Sequence, residues 1–107
     1  MNSSIPGFHA LPLKERLMRI KSILNLSDED CAQILSGGLS LEEADLMREN
    51  VIGLYSLPLS IATNFLINGC DYLIPLVGEE PSVVAAASKA AKMAREFGGF
   101  TASSTDP

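Results

Sequence analysis

Apolar residues recur every three or four positions through the first half of the chain, which predicts a layer of short amphipathic helices. The first predicted helix starts after Pro12 and carries its apolar face at Leu13, Leu17, Ile20 and Leu24. Ser27 predicts the N-cap of a second helix that stops at Gly37, and Ser40 with Glu43 predicts a capping box for a third. The third is expected to carry Leu41, Ala44, Met47 and Val51 on one side.

The pattern changes to strand-like after residue 56. Leu57–Ile67 is rich in β-branched and aromatic residues, and Asn68-Gly69 is a strong signal for a type I′ hairpin turn. Cys70–Val77 is therefore expected to pair back as the return strand. The residues expected on one face of the first strand are Ile61, Thr63, Phe65 and Ile67.

An alanine-rich helix is predicted from Pro81 to Phe97, because proline suits a first helical turn and Gly98-Gly99 supplies a stop. Its packing side is expected to be broad and to carry Val84, Ala87, Ala91 and Ala94 together with Val83, Ala90 and Phe97. We expect this side to admit another helix or sheet. Self-association is expected through the Glu49–Gly53 region, the hairpin and this helix. Residues 100–107 are expected to trail off without a closing element.

These elements predict an α+β fold with an N-terminal helical layer, a β-hairpin and a long alanine-rich helix, as a fragment of a larger subunit. Residues 1–53 are expected to form an extended arm and the helical region, and residues 54–107 the hairpin plus helix. With 107 residues the chain is at most one modest domain, yet 47% of it is apolar. The excess indicates a surface that meets another subunit or another part of a larger protein.

The composition limits the kinds of binding partner and the cellular compartment that the sequence predicts. No apolar run approaches the roughly 20 residues of a membrane span, and the N-terminus lacks the pattern of a signal peptide. A net charge of −5 argues against nucleic acid or an anionic membrane as a partner. Cys31 and Cys70 follow no disulfide pattern, which predicts reduced thiols and a cytoplasmic location. They and the single histidine, His9, have no metal-ligand spacing, so no metal is expected.

The stretch between the return strand and the last helix holds the best candidate for chemistry. Glu79 and Glu80 precede a helix N-terminus, where the helix dipole favours negative charge, and Ser82 adds a hydroxyl. A ligand site with oxygen donors is one interpretation, and the ordinary preference of acidic residues for helix starts is the other. His9, in the arm, also has two interpretations: it is either an ordinary surface residue or a contact to a ligand.

Several motifs, in this order and spacing, resemble hydroxymethylglutaryl-CoA reductase of the class II, bacterial and archaeal type. They are Glu49-Asn50-Val51-Ile52-Gly53, Leu57-Pro58-Leu59, Asn64 to Gly69, Glu79 to Ser88, and Gly98-Gly99-Phe100-Thr101. The resemblance covers the whole chain and is strongest from Glu49 onward. It implies that residues 54–107 begin the large, substrate-binding domain of a family subunit about four times longer.

The resemblance implies the interconversion of hydroxymethylglutaryl-CoA with mevalonate plus CoA, using two NAD(H) or NADP(H) bound by segments absent here. It implies that Glu80 takes part in proton transfer at the substrate carbonyl and that Ser82 contacts the hydroxymethylglutaryl moiety. Glu79 is expected to have a supporting or solvent-facing role. The arm around Phe8 and His9 is implied to approach the CoA, at a position where the family often has a basic side chain. A homodimer with its active site between subunits is also implied.

The alternative is a non-catalytic helical and hairpin module that dimerises and derives from a truncated gene. The groups that would decide between the two hypotheses are a catalytic lysine, aspartate and histidine and a nicotinamide-binding domain. None of these can be located in the 107 residues. The sequence downstream of Pro107 would therefore separate the alternatives.

Overall fold

A computed structural model describes residues 1–106, which form two compact units. The hairpin unit contains residues 1–10 and the described residues from Leu57 onward, and the helical unit is Leu11–Ser56. The arm, residues 1–10, therefore folds with the hairpin in this chain. The predicted division of an intact subunit at residues 53 and 54 stays a prediction. No helix in the described part of the chain has the length and apolar character to cross a bilayer.

The helical unit contains three helices whose starts are governed by capping boxes or proline. Their bounds are Leu13–Leu24 for α1, Asp28–Ser36 for α2 and Leu41–Met47 for α3. Ser27 Oγ accepts from the N–H of Asp30 at 3.0 Å, and the Asp30 carboxylate accepts from the Ser27 N–H at 2.8 Å. Ser40 and Glu43 form the same reciprocal pair, as the sequence predicts. Each box satisfies N–H groups that have no partner inside the helix.

The third helix is shorter than predicted. It ends at Met47, because Arg48 has an extended backbone and Asn50 has a left-handed one with φ of 60°. The placement of Val51 on this helix is therefore wrong. The stretch after α3 runs without regular structure and leaves Ile52 and Tyr55 almost fully exposed.

The hairpin has the predicted turn. Strand β1 is Leu59–Ile67 and strand β2 is Cys70–Val77, paired antiparallel with Ile67 opposite Cys70. Asn68 and Gly69 both have positive φ, of 50° and 78°. Two consecutive left-handed residues are what a type I′ turn requires, so the Asn-Gly signal is confirmed.

The predicted single face of β1 is wrong because a β-bulge interrupts it. Ile61 lies opposite Pro75, and Phe65 lies opposite Tyr72. Pro75 and Tyr72 are three residues apart on β2, so the side chains of Ile61 and Phe65 point to opposite faces. The pairing shifts at residues 63–64, which together oppose one residue of β2.

Helix α4 spans Val83–Arg95, so the prediction that Pro81 opens its first turn is wrong. Ser82 is the N-cap and has a left-handed backbone, with φ of 75°, which separates Pro81 from the helical path. The helix also stops before Phe97. The predicted stop is confirmed, since Gly98 and Gly99 both have positive φ, of 96° and 79°.

The small residues of α4 pack on β1 of the same chain. Ala91 and Ala62 are fully buried, and the N–H of Thr63 donates to Ser88 Oγ at 3.0 Å. The Asn64 side-chain amide donates to the Ser88 carbonyl at 3.1 Å. The hairpin therefore covers part of the alanine-rich side. Val83, Ala90 and Phe97, which were expected on the same side, are exposed instead, and a role of this helix in self-association stays a prediction.

The segment after α4 does not trail off as expected. Phe100 forms a parallel bridge with the end of β1, and its carbonyl accepts from the N–H of Asn68 at 2.9 Å. The Asn68 side chain exchanges two hydrogen bonds of 2.9 Å with the backbone of Ala102. The rings of Phe65 and Phe100 stack with centroids 5.6 Å apart. Gly99 permits this return, because a Cβ there would collide with the backbone of β1.

We predict that Ala91→Leu destabilises the chain by about 1–3 kcal/mol, because the larger side chain overpacks a fully buried contact with β1. Ala90→Leu is the matched control, since Ala90 is exposed on the same helix. Urea unfolding of the chain and both variants measures the difference. Equal stability of the two variants would show that α4 is not packed against the hairpin in this way.

Candidate functional site

The turn at residues 78–82, between β2 and α4, holds the predicted carboxylates. Its first residue is tied back to the sheet, since the Gly78 N–H donates to the Pro58 carbonyl at 3.2 Å. Glu79 and Glu80 are both exposed, and neither forms a salt bridge within residues 1–106. The turn thus presents two solvated carboxylates on a backbone whose two ends belong to regular elements.

Ser82 places a hydroxyl group in the same turn. Its side chain makes no capping hydrogen bond, and only its carbonyl joins the helix, by accepting from the N–H of Ala86 at 2.8 Å. A left-handed backbone is uncommon at a residue other than glycine or asparagine. With this backbone, the Ser82 hydroxyl makes no hydrogen bond to the first N–H groups of α4, although it lies beside them. Glu80 and Ser82 therefore offer a proton-accepting carboxylate and a hydrogen-bonding hydroxyl on either side of Pro81.

His9 lies in a separate segment of the hairpin unit. A short 3-10 turn, Phe8–Ala10, follows the first residues of the arm, and the His9 side chain is exposed there. Phe8 is half-buried. The structure thus brings Glu80 and Ser82 into one turn and places His9 on the arm.

Sequence reasoning missed a polar cluster beneath the arm, which we call the arm anchor and define as Ser3, Asp71 and Arg95. Ser3 is fully buried, and its N–H donates to Asp71 Oδ1 at 2.9 Å. Its Oγ lies 2.7 Å from the same oxygen and 2.9 Å from the Phe65 carbonyl. Arg95 Nη1 donates to Asp71 Oδ1 at 2.6 Å. The hydrogen bond from Arg95, followed by those from Ser3, holds the pKa of Asp71 well below its ordinary value of 3.8.

Little in the sequence pointed to the arm anchor. Asp71 and Arg95 have opposite charges on two elements expected to be neighbours, which is the one available signal. They are 24 residues apart, and Ser3 is 68 residues from Asp71, so no periodicity or spacing links the three.

The turn does not fit a dinucleotide. A strand-to-helix turn that binds a pyrophosphate is rich in glycine, so that backbone N–H groups can approach the phosphates. Residues 78–82 contain one glycine and two carboxylates, whose charge would repel a phosphate. Among residues 1–106, no group of three or more His, Cys, Asp and Glu side chains is arranged to hold a metal ion.

Comparison with known proteins shows the family. The sequence profile described as hydroxymethylglutaryl-coenzyme A reductase matches residues 12–107. The 3-hydroxy-3-methylglutaryl-coenzyme A reductase of Archaeoglobus fulgidus is 62% identical over 101 residues, which is 94% of this chain and 23% of that protein. The probable reductase of Borreliella burgdorferi is 40% identical over 87 residues, 81% of this chain and 20% of that protein.

A solved structure agrees with these relatives. The class II reductase of Streptococcus pneumoniae, bound to NADPH in open conformations, superimposes with a TM-score of 0.83 at 44% identity. The match covers 92% of this chain and 27% of that one. The fold is thus that of one portion of a larger α+β enzyme subunit. The chain belongs to the hydroxymethylglutaryl-CoA reductase family, and it spans about a quarter of the length of the relatives that it matches.

We predict that Asp71→Asn lowers the unfolding free energy at pH 7 by about 1–3 kcal/mol, because charge-assisted hydrogen bonds from Arg95 and Ser3 are weakened. A carboxylate with a lowered folded-state pKa stabilises the fold at any pH above its unfolded pKa, near 3.8. This contribution is lost as the pH falls through the folded pKa. The difference between wild type and variant should therefore be constant from pH 7 to 5 and shrink below pH 4.

Urea unfolding at several pH values measures this difference. Asp106→Asn, which changes an exposed carboxylate near the end of the chain, is the control and should leave stability unchanged. A difference that grows as the pH falls would contradict the assignment.

Proposed function

We propose that this chain is the N-terminal part of a hydroxymethylglutaryl-CoA reductase subunit and carries one side of its substrate site. The subunit would interconvert hydroxymethylglutaryl-CoA with mevalonate plus CoA. The observation that carries the proposal is the turn at residues 78–82, where the exposed Glu80 carboxylate and the uncommitted Ser82 hydroxyl stand together at the start of α4. The family membership supplies the reaction to which these groups are assigned.

Glu80 is assigned to proton transfer at the substrate carbonyl. Reduction of a thioester or aldehyde carbonyl leaves negative charge on oxygen, and a positioned acid can supply the proton that neutralises it. Ser82 is assigned to a hydrogen bond with the hydroxymethylglutaryl moiety, and Glu79 to a supporting, solvent-facing role.

The reductant is proposed to be NAD(H) or NADP(H), which supplies hydride in two successive steps. The reductase of Streptococcus pneumoniae has been seen bound to NADPH, which supports this class of cofactor. The turn at residues 78–82 is unsuited to a pyrophosphate, so the groups that bind the dinucleotide are assigned to parts of the subunit outside this chain. The arm is assigned to the CoA part of the substrate, with His9 exposed in its 3-10 turn.

A second copy of the subunit is the proposed partner. The end of α3 and the stretch after it expose large apolar side chains to water, and their exposed fractions lie between 72% and 102%. They are Leu46, Met47, Ile52 and Tyr55. A homodimer whose active site lies at the interface would cover them.

The two free cysteines support a cytoplasmic location. The non-catalytic module is not favoured, because identity to a reductase reaches 62% over nearly the whole chain.

We predict that the chain alone oxidises neither NADH nor NADPH in the presence of hydroxymethylglutaryl-CoA. The physical reason is that the sequence has no glycine-rich dinucleotide motif and that the turn at residues 78–82 is unsuited to a pyrophosphate. Absorbance at 340 nm, followed with purified chain at high concentration, measures the rate. Substrate-dependent oxidation above the background of buffer would contradict the assignment of the cofactor site to other segments.

We predict that Glu80→Gln lowers kcat by roughly 10²–10⁴-fold while substrate still binds, because a positioned acid–base group typically contributes that factor. The test protein is a full-length subunit in which this chain replaces the matching segment of the Archaeoglobus fulgidus reductase. Glu79→Gln is the matched control and should lose much less. A larger loss for Glu79→Gln would reverse the assignment of the two carboxylates.

We predict that the chain self-associates and that Ile52→Asp weakens the association, because it places a charge on a fully exposed apolar residue of the proposed interface. Leu13→Asp is the control, since Leu13 is exposed elsewhere in the helical unit. Sedimentation equilibrium measures both. A wild-type chain that stays monomeric at high concentration, or equal effects of the two variants, would count against this interface.

A further inference from the structure

The arm is attached to the hairpin unit by buried polar contacts rather than by apolar packing alone. Ser3 has no exposed surface, and its carbonyl accepts from the N–H of Asn64 at 2.8 Å. Its N–H and Oγ both meet Asp71 Oδ1. Arg95 Nη1 reaches the same oxygen and lies 3.3 Å from Ser3 Oγ. Three elements, β1, β2 and α4, therefore converge on one residue of the arm.

Asp71 and Arg95 are only partly exposed, at 18% and 25% of their side-chain surface. A charge pair in this environment is screened less than a surface pair, so it resists separation. Arg95 also reaches Asn2, whose Oδ1 accepts from Arg95 Nη2 at 3.3 Å and from the N–H of Ser4 at 2.9 Å. The first four residues of the arm thus have a defined backbone path.

The position of His9 follows from that path. The N–H of Phe8 donates to the Ile5 carbonyl at 3.2 Å, and the N–H of Ala10 donates to the Gly7 carbonyl at 2.9 Å. Gly7 has a φ of 74°, which makes the sharp change of direction without strain. Two consecutive turns therefore connect the anchored Ser3 to the exposed His9 with few freely rotating residues between them.

We propose that Ser3, Asp71 and Arg95 are positioning residues that set the affinity for the CoA part of the substrate by holding the arm in its binding conformation. The inference rests on the proposed function, in which Phe8 and His9 contact CoA. Asp71 and Arg95 make no contact with the reacting atoms in this assignment. They act through the arm, so loosening the arm anchor changes binding and leaves the chemistry at Glu80 as it was.

The size of the effect follows from the fraction of molecules whose arm is docked. The apparent dissociation constant rises in inverse proportion to the binding-competent fraction. A variant that leaves the arm docked in about one molecule in ten would raise the apparent Kd for CoA about tenfold.

The test compares Ser3→Ala and Asp71→Asn with Ser4→Ala in the full-length subunit described above. Ser3→Ala removes the arm's own hydroxyl while Asp71 and Arg95 stay paired. Ser4→Ala is the matched control, because the hydroxyl of the neighbouring Ser4 makes no hydrogen bond within residues 1–106. We expect Ser3→Ala and Asp71→Asn to raise KM for hydroxymethylglutaryl-CoA and Kd for CoA about tenfold, with kcat within about twofold of wild type. Ser4→Ala should change neither.

A second readout uses the chain itself, in which His9 is the only histidine. Its imidazole proton signals report the arm directly. Ser3→Ala should move them toward those of a free peptide while the far-ultraviolet circular dichroism stays that of the wild type. If Asp71→Asn does not fold, Ser3→Ala and this signal still decide the matter.

The outcomes separate the inference from the function on which it rests. His9→Ala and Phe8→Ala test the function, because they remove the proposed contacts with CoA. If these two variants raise KM and Ser3→Ala leaves both KM and the His9 signal unchanged, the positioning role is overturned and the CoA contact stands. If neither set changes KM, the CoA assignment of the arm fails and the positioning role fails with it. Equal losses of kcat and affinity for Ser3→Ala would indicate general damage to the fold and would also overturn the inference.

Discussion

The β-bulge at residues 63–64 is the constraint on which the hairpin unit depends. Two residues of β1 oppose one residue of β2 there, so their backbone N–H groups leave the ladder and must find other partners. The N–H of Thr63 donates to Ser88 Oγ on α4, and the N–H of Asn64 donates to the Ser3 carbonyl on the arm. One irregularity in a strand thereby joins a helix and the N-terminal arm to the hairpin.

The bulge also bears on the candidate site. Because α4 is held against β1 by Ser88 and the buried Ala91, the helix cannot shift freely relative to the sheet. The turn at residues 78–82 then connects two fixed ends in five residues. A short connection of this kind can adopt few backbone conformations. In the one observed here, Ser82 has a left-handed backbone. The side chains of Glu80 and Ser82 remain exposed while the backbone that presents them is constrained, which is the combination a binding site requires.

The parts of the fold that were predicted correctly depend on neighbours in the sequence. The Asn68-Gly69 turn and the capping box at Ser40 need only residues within three positions of each other. The errors arose where distant residues decide the outcome. The alternation along β1 fails because Asn64 finds partners on the arm and on α4, and the arm anchor joins Ser3 to Asp71 across 68 residues. The turn with Glu80 and Ser82 was located from the sequence, but the left-handed Ser82 was missed because serine rarely adopts that backbone.

The sequence separation between contacting residues also differs from one part of the hairpin unit to another, and this affects how firmly each part is held. The hairpin closes through a two-residue turn, and the Asp71–Arg95 pair spans 24 residues, whereas Arg95 lies 92 residues from Ser3. Long loops are costly to close before other contacts have formed, so we expect the arm to dock on a hairpin and helix that have formed first. No apolar residue of the arm is buried, and segments with few buried apolar contacts open most readily in the native state. The arm anchor is polar, so water can solvate its groups whenever the arm is released, and the affinity for a ligand of the arm then depends on the fraction of molecules in which the arm is docked.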